Sequence, residues 1–175
     1  HSFNMIVFED LRVPRRNLLG EKNRGWYVGA TMMDLERSGV EYWASAVATL
    51  NDLLQYVTGV GYDGQRTAYN ASVRQHLASL AIEAELSRLM AYNIAWMRDQ
   101  GSVVTKEASI AKVFGTELQQ KVARIGMWLL GLHGQLEPDS KHAPLQGRIE
   151  RAHLWSISAT ILAGTSEIQR NIIAT

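Results

Sequence analysis

Residues 105–134 read TKEASIAKVFGTELQQKVARIGMWLLGLHG, and this stretch decides the fold. Ile110, Phe114, Leu118, Val122, Ile125, Leu129 and Leu132 step by three or four, which is the apolar stripe of an α-helix. Thr105 is placed to cap its start, Glu107 sits near its positive end, and Gly131 and Gly134 close it. The flanking sequence repeats the pattern. Val28, Met32, Leu35, Gly39, Trp43, Ala46, Leu50, Leu54 and Val57 mark one face of a long helix from about Gly25, ended by Gly59, Gly61, Asp63 and Gly64. A further helix is expected from about Thr67 to Asp99. Its buried side carries Val73, Leu77, Leu80, Ala84, Leu86, Leu89 and Met90, and Gly101 stops it.

The rest of the chain fits around these helices. Prolines occur only at Pro14, Pro138 and Pro144, and long helices explain the proline-free interval between the first two. Residues 135–146 form a loop, a fourth helix runs from about Leu145 to Ala159, and a short helix starts at Thr165, after Gly164. Near the start, Phe3, Met5 and Val7 alternate with polar or apolar neighbours over residues 3–13, which reads as a strand. No partner strand is evident in the chain, so it is read as the remnant of a missing β domain. The expected fold is therefore all-α: an antiparallel four-helix bundle with a short terminal helix, preceded by that remnant strand. Residues 1–24 are read as the end of the β domain and a linker, and residues 25–175 as the bundle. The opening His1-Ser2, with no Met, suggests a chain that begins mid-protein.

Composition excludes several functions. Eighteen Lys and Arg against 17 Asp and Glu give a net charge of +1, too balanced for nucleic-acid binding by charge. The five tryptophans read as core rather than as base-stacking platforms. The absence of cysteine removes disulfides and thiolate metal sites, and fits a cytoplasmic location. His76, His133, His142 and His153 show no metal-ligand spacing. No apolar run reaches membrane-spanning length.

The chemistry concentrates at the end of the chain, in Ala163-Gly164-Thr165-Ser166-Glu167-Ile168-Gln169-Arg170-Asn171-Ile172-Ile173. Glycine allows backbone to approach a ligand closely. The first amides of the following helix suit a phosphate or flavin oxygen, Thr165 can hydrogen-bond, and Glu167 can accept from a ribose hydroxyl. The plain alternative is an ordinary helix start, with Thr165 as cap and Glu167 complementing the dipole.

This closing run resembles the signature of the acyl-CoA dehydrogenase family. So do Val7-Phe8-Glu9-Asp10-Leu11-Arg12-Val13-Pro14, Asn17-Leu18-Leu19-Gly20, Gly25-Trp26, Asp34-Leu35-Glu36-Arg37 and Thr105-Lys106-Glu107-Ala108. The resemblance implies FAD as cofactor and an acyl-CoA as substrate, with the Cα proton taken by a carboxylate as hydride leaves Cβ for flavin N5. Many members keep that carboxylate just before the Gly-Thr of the closing motif, where this chain has Ala163. The isovaleryl and long-chain types carry it on the first bundle helix, and there this chain has Glu36. The resemblance thus implies Glu36 as base, with Asp34, Arg37 and Gly164 near the substrate. It implies Thr165, Glu167, Gly131 and Arg66 near the flavin. Helix-surface charge is the bland reading for Asp34, Arg37 and Glu36, the last as a pair with Arg37.

The match is weaker elsewhere. Arg66 in Gly64-Gln65-Arg66-Thr67 stands in for the family's flavin-pyrophosphate arginine. Leu129-Leu130-Gly131-Leu132-His133-Gly134 lacks a glutamine and a glycine of the usual Gln-x-x-Gly-Gly-x-Gly run, and Leu154-Trp155-Ser156 replaces the usual Arg-Asp-Ala. The implied assembly is a homodimer or dimer of dimers, with electron-transfer flavoprotein or a similar acceptor. Two other readings stand beside it: a non-catalytic partner subunit of a hetero-oligomeric dehydrogenase, or a related flavin monooxygenase or oxidase.

Overall fold

The computed structural model describes residues 4–59 and 70–175, apart from the Asp34 side chain. Arg66 therefore lies outside the described residues. The chain divides into two units, His1–Glu36 and Arg37–Thr175.

In the first unit, a 3-10 turn at Arg15–Asn17 follows Pro14, and Asn17 N–H donates to the Pro14 carbonyl at 2.9 Å. Helix α1 then spans Gly25–Glu36. The expected strand is absent: residues 4–13 are exposed, and no strand occurs among the described residues. Alternation supplies one strand's pattern but not the second row of donors and acceptors that a ladder requires.

Among its described residues the second unit holds the α-helices α2 Val40–Thr58, α3 Ala71–Asp99, α4 Thr105–Leu130, α5 Arg148–Ala159 and α6 Ser166–Ala174. The single long helix expected from Gly25 is interrupted before α2. Gly39 takes a left-handed conformation, φ 81°, and its carbonyl accepts from Trp43 N–H at 3.2 Å, starting α2 afresh. Apolar periodicity continues across the break, so the pattern alone conceals it. Asn70 caps α3 by accepting from the Ser72 and Val73 amides at 2.9 and 3.4 Å. Val104, not Thr105, is the N-cap of α4, and Gly131 is its C-cap as the glycine pattern predicts. The fourth expected helix begins later than Leu145, because Leu145 and Gln146 have positive φ inside a 3-10 segment, Pro144–Gly147.

Helix α4 packs on α2, α3, α5 and α6. His76 meets Trp128 edge-on at 5.2 Å and Glu83 pairs with Lys121, so α3 and α4 run antiparallel. Tyr42 O accepts from Gln119 at 3.3 Å while Leu53 lies against Gly126, so α2 runs parallel to α4. Ile149 also lies against Gly126, and Gln120 donates to the Ser156 carbonyl at 3.1 Å, so α5 runs antiparallel to α4. Successive helices from α2 to α5 therefore alternate in direction.

The core between them contains Ala46, Leu50, Leu53 and Val57 of α2 and Val73, Leu77, Leu80 and Ala84 of α3. Leu118, Val122 and Leu130 of α4 and Ile149 of α5 complete it. Each fully buried leucine or valine contributes about 1.5–3 kcal/mol. Leu54, Leu86 and Leu89, expected inside, stay partly exposed. Leu53 takes the place of the first. Ser87, Ala91 and Ile94 replace the other two as α3 continues beyond the central layer.

Candidate functional site

The closing turn joins α5 to α6. Thr160 is the C-cap of α5, and its carbonyl accepts from Ser166 N–H at 3.0 Å. Between them Ala163 and Gly164 both have positive φ, 53° and 91°. Gly164 has a second reason to be glycine: a Cβ there would lie 2.5 Å from Gln169 Nε2. Thr165 is the N-cap of α6, its Oγ1 accepting from Ile168 N–H at 3.3 Å. Glu167 has its carboxyl held below the usual carboxylate range, first by its own backbone N–H and then by the Thr165 hydroxyl, with Arg170 and Lys112 adding attraction. The helix-start reading of Thr165 and Glu167 thus describes real contacts. Thr165 and Glu167 also line a neighbouring cleft.

Three side chains, two of them from distant parts of the chain, grip the turn from inside. Arg37 Nε donates to the Ala163 carbonyl at 3.3 Å. Gln169 Nε2 donates to the same oxygen at 3.0 Å and to the Gly164 carbonyl at 3.4 Å. Lys112 Nζ donates to the Gly164 carbonyl at 2.8 Å. Lys112 and Gln169 are fully buried and Arg37 is nearly so. Burial, and then the positive charge of Arg37, pull the Lys112 ammonium below its ordinary range, against attraction from Glu117 and Glu167.

Beside the turn, α4, the end of α5 and α6 enclose a cleft of about 450 Å³. Gln120, Arg124, Thr160, Ser166, Glu167 and Arg170 are among its lining residues. Arg170 pairs with Glu117 at 2.7 Å at its edge. Ser166 Oγ is buried without a hydrogen-bond partner among the described residues. An orphaned hydroxyl, two arginines and the amide end of α6 suit a ligand rich in phosphate and hydroxyl oxygens, as a flavin dinucleotide is. No group of three His, Cys, Asp or Glu that could hold a metal occurs among the described residues.

The structure gathers Arg37, Gly164, Thr165 and Glu167 into one neighbourhood. Arg37 is therefore not a helix-surface charge. Glu36, the last residue of α1, is exposed and immediately precedes Arg37 in the chain. Gly131 lies at the opposite end of α4 from Lys112, about 28 Å along a helix that rises 1.5 Å per residue. Lys112 and Gln169 escaped the sequence reading. The available signal for Lys112 was its phase, four residues after Ala108 and four before Thr116, both fully buried.

The family profile described as "Acyl-CoA dehydrogenase, C-terminal domain" matches residues 23–175. The acyl-CoA dehydrogenase FadE26 of Mycobacterium tuberculosis is 33% identical over 95% of this chain and 42% of its own length. CarC, a subunit of the caffeyl-CoA reductase-Etf complex of Acetobacterium woodii, is 29% identical over 97% of this chain and 43% of its own length. Among solved structures, the ChsE4-ChsE5 complex from Mycobacterium tuberculosis superposes with a TM-score of 0.81 at 33% identity, covering 95% of this chain and 43% of that one. The Geobacillus kaustophilus acyl-CoA dehydrogenase superposes with a TM-score of 0.82 at 30% identity, covering 95% and 42%. The chain spans about two fifths of the length of the curated relatives it matches.

Proposed function

Because this chain belongs to the acyl-CoA dehydrogenase family, as its C-terminal domain, we propose that it forms part of an FAD-dependent enzyme that desaturates an acyl-CoA thioester between Cα and Cβ. Glu36 is the base in this reading and takes the Cα proton. The observation that carries it is the engagement of Arg37 with the Ala163 carbonyl. Ala163 stands where many relatives would carry the carboxylate, and a methyl group accepts no proton. The bond from Arg37 leaves Glu36 one residue away from a side chain fastened to that same turn.

The other residues bind and orient. Gly164 lets the thioester approach the backbone closely, and Asp34 and Arg37 flank the base in sequence. Thr165 and Glu167, with Ser166 and Arg124 of the adjoining cleft, would hold the flavin dinucleotide. Gly131 and Arg66 are proposed as flavin contacts on other parts of the assembly. FAD supplies a hydride acceptor for Cβ. The reduced enzyme would pass its electrons to electron-transfer flavoprotein or a similar acceptor, a reading supported by the reductase-Etf subunit among the relatives. The assembly is proposed as a homodimer or dimer of dimers. Its contact surfaces would draw on Leu154, Trp155, Ile157, Ile161 and Leu162, all half exposed or more. No described helix is long and apolar enough to cross a membrane.

The test is Glu36→Gln in the flavin-loaded protein. Loss of flavin bleaching by acyl-CoA, by roughly 10²-fold or more, with FAD retained, is the expected result. Bleaching at the original rate removes Glu36 from the role. A second reading, a non-catalytic partner subunit, is favoured by Ala163 and by the likeness to a protein solved as a ChsE4-ChsE5 complex. Stoichiometric FAD and bleaching without a partner chain argue against it.

A further inference from the structure

We propose that Lys112 is a positioning residue that, with Arg37 and Gln169, sets the orientation of the Ala163–Gly164–Thr165 peptides for the reaction. Its catalytic consequence rests on the function proposed above; its geometry does not.

The argument begins with cost. A fully buried ammonium is expensive unless its hydrogen bonds and charge are compensated. Lys112 has no carboxylate in contact among the described residues; its acceptor is one backbone carbonyl, that of Gly164. It also shares its surroundings with a second cation, Arg37. An apolar side chain would fill the same place in α4 more cheaply, because Ala108, Ala111 and Thr116 already line that face. What the lysine adds is a strong, directional donor aimed at one peptide.

That direction matters because of peptide geometry. No peptide bond here is cis, and in a trans peptide the C=O and N–H point in opposite directions. Arg37 and Gln169 pull the Ala163 carbonyl inward, so the Gly164 N–H faces the other way. Lys112 pulls the Gly164 carbonyl inward, so the Thr165 N–H also faces away. Successive positive φ values at Ala163 and Gly164 are uncommon for an unsupported turn. Three donors on two adjacent carbonyls select that conformation over a flipped peptide. The consequence runs into α6: Thr165 must be held for its hydroxyl to accept from Ile168 N–H, and for Ser166 N–H to reach Thr160.

The experiment compares wild type with Lys112→Met, Lys112→Arg and Gln169→Leu. Hydrogen exchange is measured at the Ser166 and Ile168 amides against the amides of α3. Lys112→Met is expected to speed exchange at those two amides about tenfold or more, the loss of one hydrogen bond to a charged group, with α3 unchanged. Lys112→Arg, which keeps the charge and the donors, should restore most of the protection. Gln169→Leu serves if Lys112→Met fails to fold, and should loosen the same two amides. Unchanged exchange in a folded variant overturns the clamp. In the flavin-loaded protein, Lys112→Met should slow flavin reduction by acyl-CoA about tenfold while FAD content is kept. Local loosening with an unaltered reduction rate overturns the role in the reaction. If Glu36→Gln reduces normally while Lys112→Met still loosens the turn, the proposed base is wrong and the clamp stands.

Discussion

Arg37 and Ala163 lie 126 residues apart in the chain, yet the guanidinium Nε reaches the Ala163 carbonyl at 3.3 Å. The arginine occupies the break between α1 and α2, and the alanine occupies the turn between α5 and α6. Their bond fastens the start of the second unit to its last connection.

Arg37→Met should therefore lower stability by about 1.5–3 kcal/mol, the usual effect of losing a buried charged hydrogen bond. Arg37→Lys should recover only part, because an ammonium lacks the planar fork of donors. Urea unfolding of the three proteins measures this. Equal midpoints would show that the bond contributes nothing to stability.

Gly164→Ala tests two effects at once. A side chain is strained at φ 91°, and its Cβ would lie 2.5 Å from Gln169 Nε2. Gly101→Ala, at φ 76° with open space around it, carries the strain alone. Strain of this kind amounts to about 1 kcal/mol or more. Gly164→Ala should exceed Gly101→Ala by at least about 1 kcal/mol in thermal or urea unfolding, as overpacking adds to strain. Equal losses would mean that the Gln169 contact relaxes freely.

The facing of α2 is open to a paired substitution. Leu53 is 0% exposed and Leu54 is 37% exposed. Leu53→Ala should cost about 2–5 kcal/mol and leave a cavity. Leu54→Ala should cost less than about 1 kcal/mol in the isolated chain. The reverse order would mean that α2 is rotated by one residue.

Lys112 predicts a pH dependence with a definite sign. Its ammonium is held below the ordinary 10.5, chiefly by burial. Between the depressed value and 10.5 the unfolded chain binds the proton more tightly than the folded one. Stability from this group therefore rises with pH across that window. The stability of wild type relative to Lys112→Met should shift in favour of wild type as pH rises from neutral toward 10.5. A flat difference would show that the lysine keeps its ordinary affinity for the proton.

Much of this architecture is legible in the sequence, for local reasons. The 3–4 spacing of Val73, Leu77, Leu80 and Ala84, the glycine at 131 and the Thr165 cap all act within a few residues, and each appears where the pattern puts it. Features set by distant contacts are not legible. The break at Gly39 lies within an uninterrupted apolar rhythm. The strand expected at residues 3–13 had a pattern but no second strand among the described residues to bond. Leu86 and Leu89 fall between buried Ala84, Ser87, Ala91 and Ile94, on the side of α3 turned away from the core. At the site, Thr165 and Glu167 announce a helix start, whereas Lys112 reads as one more charge on an amphipathic helix. Its burial depends on α6 and the start of α2, which no local window contains.

The grip on Ala163 and Gly164 draws on residues 37, 112 and 169, so it bears on the order in which the molecule organises. The leucine and valine interior can condense from neighbouring hairpins of helix, whose contacts are near in sequence. The turn must wait for a loop of more than a hundred residues to close, an entropic penalty that delays such contacts. A refolding time course should show helix content and apolar burial first, and the ordering of the Ala163–Gly164 turn last.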